Sequence, residues 1–404
     1  IVDGTNGDVA CDFYHRYEED IALAKKLGIQ VYRLSISWPR IFPEGTGEIN
    51  RKGIEFYRKV LKCLHDNGIK SAVTMYHWDL PQKLQDRGGW ANREIVGWFE
   101  EYARTLYREL GDLVDHWITL NEPFCTSFAG YWTGEHAPGY HDFGQTLAAV
   151  HHLNMAHGAA VKAYRETGLK ADIGITLNMH MHYPYDPSNP EDVEAARRNM
   201  LLYNCMFGDP IMKGSYPQEI LDFLKERNVV LPDIQPGDME LINQEIDFFG
   251  LNTYFVEYVK ADKSVWPQET VSLKSGKPKT DANWEVYPEG MYDILKWVND
   301  TYKPKRIIIT ENGAANNDWV NVDGKVEDTN RKDYIKRYLM QVKRAIDDGI
   351  NITGYYVWCF CDNFEWAWGL ARRFGIIYVD YETQKRIPKE SAYWYSEVIK
   401  NNGF

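Results

Sequence analysis

Cysteine is scarce in this chain: six residues in 404, at positions 11, 63, 125, 205, 359 and 361. None forms a C-x-x-C pair, so neither a zinc ribbon nor a disulfide framework is expected. Free thiols fit a reducing compartment, the cytoplasm. Positive charge is also short, with 46 Lys and Arg against 58 Asp and Glu and a net charge of −12. No basic run offsets that deficit, so a nucleic-acid footprint is missing. No apolar run approaches the roughly 20 residues of a bilayer span, so no membrane partner is expected. Glycine (31) and proline (17) are too few for a collagenous or low-complexity chain. Residues 1–7 are polar and Gly-rich and read as loop, not as a signal peptide. Aromatics, by contrast, are plentiful: 14 Trp, 27 Tyr and 16 Phe. Core packing accounts for most of them, and the remainder need another role.

The length would allow two or three domains, but α/β barrels of this size form one unit. Seven nearly continuous apolar runs read as parallel strands buried on both faces: 31–37, 70–75, 116–120, 172–178, 246–251, 306–309 and 354–360. Amphipathic stretches between and after them read as helices, at 14–27, 54–67, 95–110, 146–167, 190–207, 291–301, 330–348 and 391–400. Three of these end alike, in Leu27-Gly-Ile29, Asn67-Gly-Ile69 and Asp348-Gly-Ile350: helix, glycine cap, strand. No linker or change of composition interrupts the repetition. The fold class implied is α/β, a single (β/α)8 TIM barrel over residues 1–404. Only seven strands are visible, and helix 14–27 has none before it. The expectation is a barrel whose first strand lies upstream of Ile1, leaving the catalytic domain N-terminally incomplete.

Chemistry in such barrels sits at the C-terminal ends of the strands. The polar residues found there are Arg33, His77, Trp78, Asn121, Glu122, Asn178, Asn252, Tyr254 and Glu311, with Trp358 in the last strand and Glu365 and Trp366 in the final loop. Glu122 and Glu311 end two strands that face each other across the barrel mouth. Paired carboxylates across a cleft hydrolyse glycosides: one protonates the leaving oxygen while the other attacks the sugar carbon or activates water. In the retaining case they lie about 5–5.5 Å apart. One strand-end Glu would read as solvated surface. Two, each beside an Asn and accompanied by Trp, His and Arg, do not.

Thr119-Leu-Asn-Glu-Pro123 and Ile309-Thr-Glu-Asn-Gly313 resemble the acid/base and nucleophile signatures of glycoside hydrolase family 1, the β-glucosidase family. Tyr32-Arg-Leu-Ser-Ile-Ser-Trp-Pro-Arg-Ile41, Tyr76-His-Trp-Asp-Leu-Pro81, Gly134-Glu-His-Ala-Pro-Gly139, Asp362-Asn-Phe-Glu-Trp366 and Arg373-Phe-Gly-Ile376 extend the likeness along almost the whole chain. The resemblance implies a retaining, exo-acting β-glycosidase. Its substrates would be terminal non-reducing β-D-glucosyl residues, with galactosyl and fucosyl hard to separate, on β-glucosides and short oligosaccharides such as cellobiose. Glu311 would be the nucleophile and Glu122 the acid/base, with Arg33 and Tyr254 touching the nucleophile. His77, Trp78, Asn121, Asn252, Trp358, Glu365, Trp366 and Phe374 would hold the sugar. Asn178, Trp132 and Trp368 would face the aglycone.

Glu365 replaces the Ser of members that act on 6-phospho sugars, and Arg372-Arg373-Phe374 replaces their Lys-x-Tyr step, so unphosphorylated glycosides are expected. The resemblance implies no cofactor and no metal, and a small-molecule glycoside as the partner. His180 and His182 have the spacing of metal ligands on a strand, but lining or packing near the outer cleft is the expectation. His151, His152, His157 and the loop residue His136 read as structural, and Cys359 and Cys361 as core. The resembled family's first strand carries a sugar-binding Gln that has no counterpart after Ile1. That departure keeps a second reading open: a truncated barrel that binds sugar or another ligand without efficient turnover.

Overall fold

A computed structural model describes residues 1–404. At its centre is a seven-stranded parallel sheet in sequence order: Val31–Ser35, Lys70–Tyr76, His116–Asn121, Asp172–Asn178, Phe248–Asn252, Ile307–Asn312 and Ile352–Val357. Val31 lies opposite Lys70, Gly174 opposite Phe248, and Phe249 opposite Ile307. Helices link successive strands, as parallel crossovers require. The seven strands read from sequence are present and differ only at their ends. The sheet curls into a nearly closed TIM barrel. Its two end strands flank a cavity of roughly 580 Å³ whose wall includes Tyr32, Leu34, Tyr355 and Val357.

Periodicity explains the outer layer. In the helix Arg51–Asp66, Ile54, Tyr57, Val60, Leu61 and Leu64 are buried, a spacing of three and four that makes one apolar stripe. The helix ends at Asn67, and Gly68 then takes φ 73°, a left-handed value at which a side chain would be strained. One cluster of 75 buried residues, from Ile21 to Ile350, fills the space between strands and helices. Trp38, Trp90 and Trp117 belong to it, so part of the tryptophan count is core.

Inside the barrel the packing is layered. Ile118, Phe248 and Ile308 form an apolar plug, with Tyr356 against it. Above it lies a polar layer. Thr176 Oγ1 donates to Thr310 Oγ1 at 3.1 Å, Thr310 Oγ1 to Asn252 Oδ1 at 2.7 Å, and Arg33 Nε to Thr74 Oγ1 at 3.2 Å. Asn252 carries this layer to the cavity at the mouth, while Arg33, Thr74 and Thr310 face the cavity between the two end strands.

Among the features that differ from the sequence reading, three bear on the mouth. His182–Pro184, Glu257–Ala261 and Thr270–Leu273 form a small separate sheet over the mouth. The stretch read as helix 190–207 is Pro190–Asn199, then a π-helical segment Met200–Cys205, then Met206–Lys213. A second π-helical segment, Cys125–Trp132, follows the Asn-Glu-Pro motif.

A buried charge network braces the loops behind the mouth. Arg331 pairs with Asp328 and, at 2.7 Å, with Asp318. Lys389 Nζ reaches Asp318 at 2.6 Å and Asp362 at 2.9 Å, and Arg373 reaches Asp362 at 2.7 Å. The Arg331 side chain is fully buried. Removing one charge from such a network strands its partners in low dielectric, which costs about 3–5 kcal/mol. Arg331→Met is therefore expected to lower unfolding stability by about that amount, read from urea denaturation midpoints. A change below about 1 kcal/mol, the range of surface pairs, would show that the network is solvated.

Candidate active site

Glu311 is the next-to-last residue of the strand Ile307–Asn312, and its carboxylate is buried. Arg33, on the first strand, donates to Oε1, and the Tyr254 hydroxyl donates to Oε2 at 2.6 Å. The second Arg33 amino group donates to Asn121 Oδ1 at 2.6 Å, tying the first strand to the third. A cation and a phenol on its two oxygens stabilise negative charge on Glu311 and fix its direction. Burial, then the Glu311 and Glu122 charges, push the Tyr254 hydroxyl well above its usual range, so it stays a donor. Gly313 lets this strand end approach the last strand. A Cβ there would meet the Trp358 carbonyl oxygen at 1.9 Å.

Glu122 follows the strand His116–Asn121 with φ 46°, an uncommon backbone for a non-glycine residue. It accepts from Asn252 Nδ2 at 2.7 Å and from Cys125 Sγ at 3.3 Å. Its pKa is pushed up to about 8, first by burial and then by the charge of Glu311. The two carboxyl groups thus occupy opposed environments: one is met by an arginine, the other is desolvated and protonated at neutral pH.

The cavity around them measures roughly 610 Å³. His77, Trp358, Glu365 and Trp366 form one wall. The His77 ring stacks 5.8 Å from Trp358 and 6.3 Å from Trp366. Burial, then Arg33, hold the His77 imidazole well below its usual range, so it is neutral. His77 Nε2 lies 3.2 Å from Asn121 Nδ2. Burial, followed by the Glu311 charge, pushes Glu365 up to about 8. Glu365 is therefore protonated at neutral pH. Arg372 and Arg373 are occupied by Asp281 and Asp362, so neither is free to grip a phosphate.

Trp78 lines the cavity, and its Nε1 donates to the Asn121 carbonyl at 2.9 Å, fixing the strand end that precedes Glu122. Asn252 touches both Glu122 and Asn121. Asn178, Trp368 and Phe374 also reach the cavity. Trp132 does not: it packs edge-on against Phe143 and Trp266, outside the lining. Sequence reading missed Cys125, which contacts Glu122 and lies 3.8 Å from Asn178. It also missed Trp284, 4.9 Å from Tyr254 and 5.6 Å from Trp368. Trp284 sits in an irregular loop with no periodicity to reveal it. His136, read as structural, lines the cavity 5.0 Å from Trp78.

A barrel that sets two unlike carboxyl groups at the ends of different strands, over an aromatic-walled cavity, has the architecture of a glycosidase. The sequence agrees in detail: residues 1–404 match the profile of glycosyl hydrolase family 1, and the chain belongs to that family. It is 48% identical to "Beta-glucosidase A" of Acetivibrio thermocellus, over 100% of this chain and 90% of that protein. It is 49% identical to "Beta-glucosidase A" of Thermotoga maritima, again over 100% of this chain and 90% of the relative. The solved structure of a β-glucosidase from Thermotoga maritima in complex with deoxynojirimycin superimposes with a TM-score of 0.95 at 49% identity, covering 98% of this chain and 89% of that one. No helix is long and apolar enough to cross a membrane.

Proposed function

We infer that this chain is a retaining β-glucosidase that removes terminal non-reducing β-D-glucosyl residues by double displacement. One observation carries the reading: the two Glu311 oxygens accept from Arg33 and Tyr254, while the neighbouring Glu122 is driven up to about 8. Glu311 attacks the anomeric carbon as Glu122 gives its proton to the departing alcohol oxygen. The C–O bond to the aglycone breaks, and a glycosyl ester forms on Glu311. That ester is neutral, so the charge that raised Glu122 is gone and its pKa falls. Glu122, now a carboxylate, takes a proton from water. The water attacks the anomeric carbon, releasing sugar and restoring Glu311.

In this reading Asn121 serves the sugar 2-hydroxyl, a contact that strengthens in the transition state. His77 and Trp366 suit the 3-hydroxyl side and Glu365 the 4- and 6-hydroxyls, with Trp358 under the apolar ring face. The wall beyond, with Asn178 and Trp368, suits the aglycone. The continuous core supports reading residues 1–404 as one catalytic unit. Six unpaired cysteines support a reducing compartment such as the cytoplasm. The complete carboxylate apparatus weighs against a barrel that binds sugar without turnover.

Two measurements test this. Proton NMR during hydrolysis of an aryl β-glucoside should show β-glucose first, with α-glucose appearing only by mutarotation; α-glucose first would exclude the double displacement. The pH profile of kcat/KM has a predictable sign. The protonated form of Glu122 is needed for the first step, so activity should fall as pH rises through about 8. A profile that keeps rising past that point would place the acid elsewhere.

A further inference from the structure

His180 and His182 meet Glu257 at the small sheet over the mouth. His182 opens the strand His182–Pro184, and Glu257 lies opposite it at the start of the parallel neighbour Glu257–Ala261. His180 lies just before that strand, and its ring centroid is 4.5 Å from that of His182. One donor atom from each of the three residues lies within 4.8 Å of the others. Glu257 Oε2 is 3.2 Å from His182 Nδ1 and 3.9 Å from His180 Nε2. Three donors around a tetrahedral ion with bonds of about 2.0–2.1 Å lie roughly 3.3 Å apart, so only small movements separate this cluster from a ligand set.

The cluster's hydrogen bonding is incomplete. His180 Nε2 and both ring nitrogens of His182 are buried without a hydrogen-bond partner, and the His182 side chain is fully buried. The 3.2 Å approach to Glu257 lacks the alignment of a hydrogen bond. Buried polar atoms of this kind are normally satisfied. Ser272 Oγ donates to Glu257 Oε2 at 2.8 Å and orients it, as outer groups around metal ligands do. The Phe255 and Tyr203 rings pack on His180 and His182 at 4.7 and 5.6 Å and hold the imidazoles in place. The three residues line the same cavity as Glu122 and Glu311, so an ion has a route in.

We propose that His180, His182 and Glu257 form a binding site for a borderline divalent ion of the Zn²⁺ type, on the outer wall of the substrate cavity. Water from the cavity supplies the fourth ligand, the pattern of an open tetrahedral site. The glycosidase chemistry does not use this ion. An ion bound there narrows the aglycone route, so it acts as an inhibitor that reports occupancy at a distance from the reacting carboxylates.

Co²⁺ is the probe, because its visible absorption distinguishes imidazole and carboxylate ligands from thiolate. Titration of the full chain should load one ion, with weak d–d bands and no thiolate charge-transfer band. His180→Ala and Glu257→Gln should each weaken binding at least 10–100-fold, while Cys125→Ser leaves it unchanged. His180 is the less buried histidine, so its variant tests the site even if His182→Ala fails to fold, with circular dichroism as the control. Binding that survives both His180→Ala and Glu257→Gln would overturn the proposal. So would a thiolate band lost in Cys125→Ser, or no binding below millimolar Co²⁺.

Discussion

Glu311→Gln should lose turnover by roughly 10⁴–10⁶-fold in kcat, the scale on which removal of a covalent nucleophile acts. The amide keeps the shape of the side chain and can still accept from Tyr254. It cannot expel an alkoxide by attack on the anomeric carbon. KM for an aryl β-glucoside should change little, since the sugar-facing groups His77, Trp358 and Trp366 do not depend on Glu311 for their stacking. The substitution also removes the charge that helps hold Glu122 up, leaving burial as the main cause of its raised pKa. The fold should persist. A variant that retains more than about one per cent of kcat would contradict the assignment, because general electrostatic effects alone do not supply that much of a covalent route.

Glu122→Gln should fail differently, and the difference is diagnostic. An alkyl or cellobiosyl leaving group needs a proton, so kcat/KM on cellobiose should drop by about 10²–10⁴-fold. A dinitrophenolate leaves unaided, so kcat/KM for that aryl glucoside should stay near the wild-type value. Its kcat should still fall, because no base remains to activate water against the glycosyl ester. The alkaline limb near pH 8 should vanish with the carboxyl that causes it. Equal losses on both leaving groups would make Glu122 a structural residue, and Asn252 and Cys125 merely its hydrogen-bonding neighbours.

The barrel was legible because its parallel strands are apolar on both faces and its helices close on glycine. Gly28, Gly68 and Gly349 all adopt the left-handed backbone that the Leu-Gly-Ile, Asn-Gly-Ile and Asp-Gly-Ile steps imply. The two carboxylates were legible for a similar reason: a polar residue where an apolar run stops has nowhere to point but the mouth. The rest of the wall was not. The strands around Glu257 and Ser272 are short, and polar residues such as Lys260 interrupt them, so no period stood out. Cys125 and Trp132 are set by the π-helical segment Cys125–Trp132, whose wider turn departs from the helix period. It brings Cys125, Phe128 and Ala129 to the cavity and sends Trp132 to Phe143. The meeting of His180 and His182 with Glu257 depends on a pairing across more than seventy residues, which local pattern does not reveal.

The central claim is that a sugar becomes covalently attached to Glu311. Glu122→Gln makes the attachment visible, since a dinitrophenyl β-glucoside loads the enzyme quickly and water unloads it slowly. Intact mass during turnover should show a population heavier by one hexosyl unit, and proteolysis should place that mass on the peptide containing Glu311. An unmodified protein under continued turnover, or a hexosyl group on any other residue, would contradict the account.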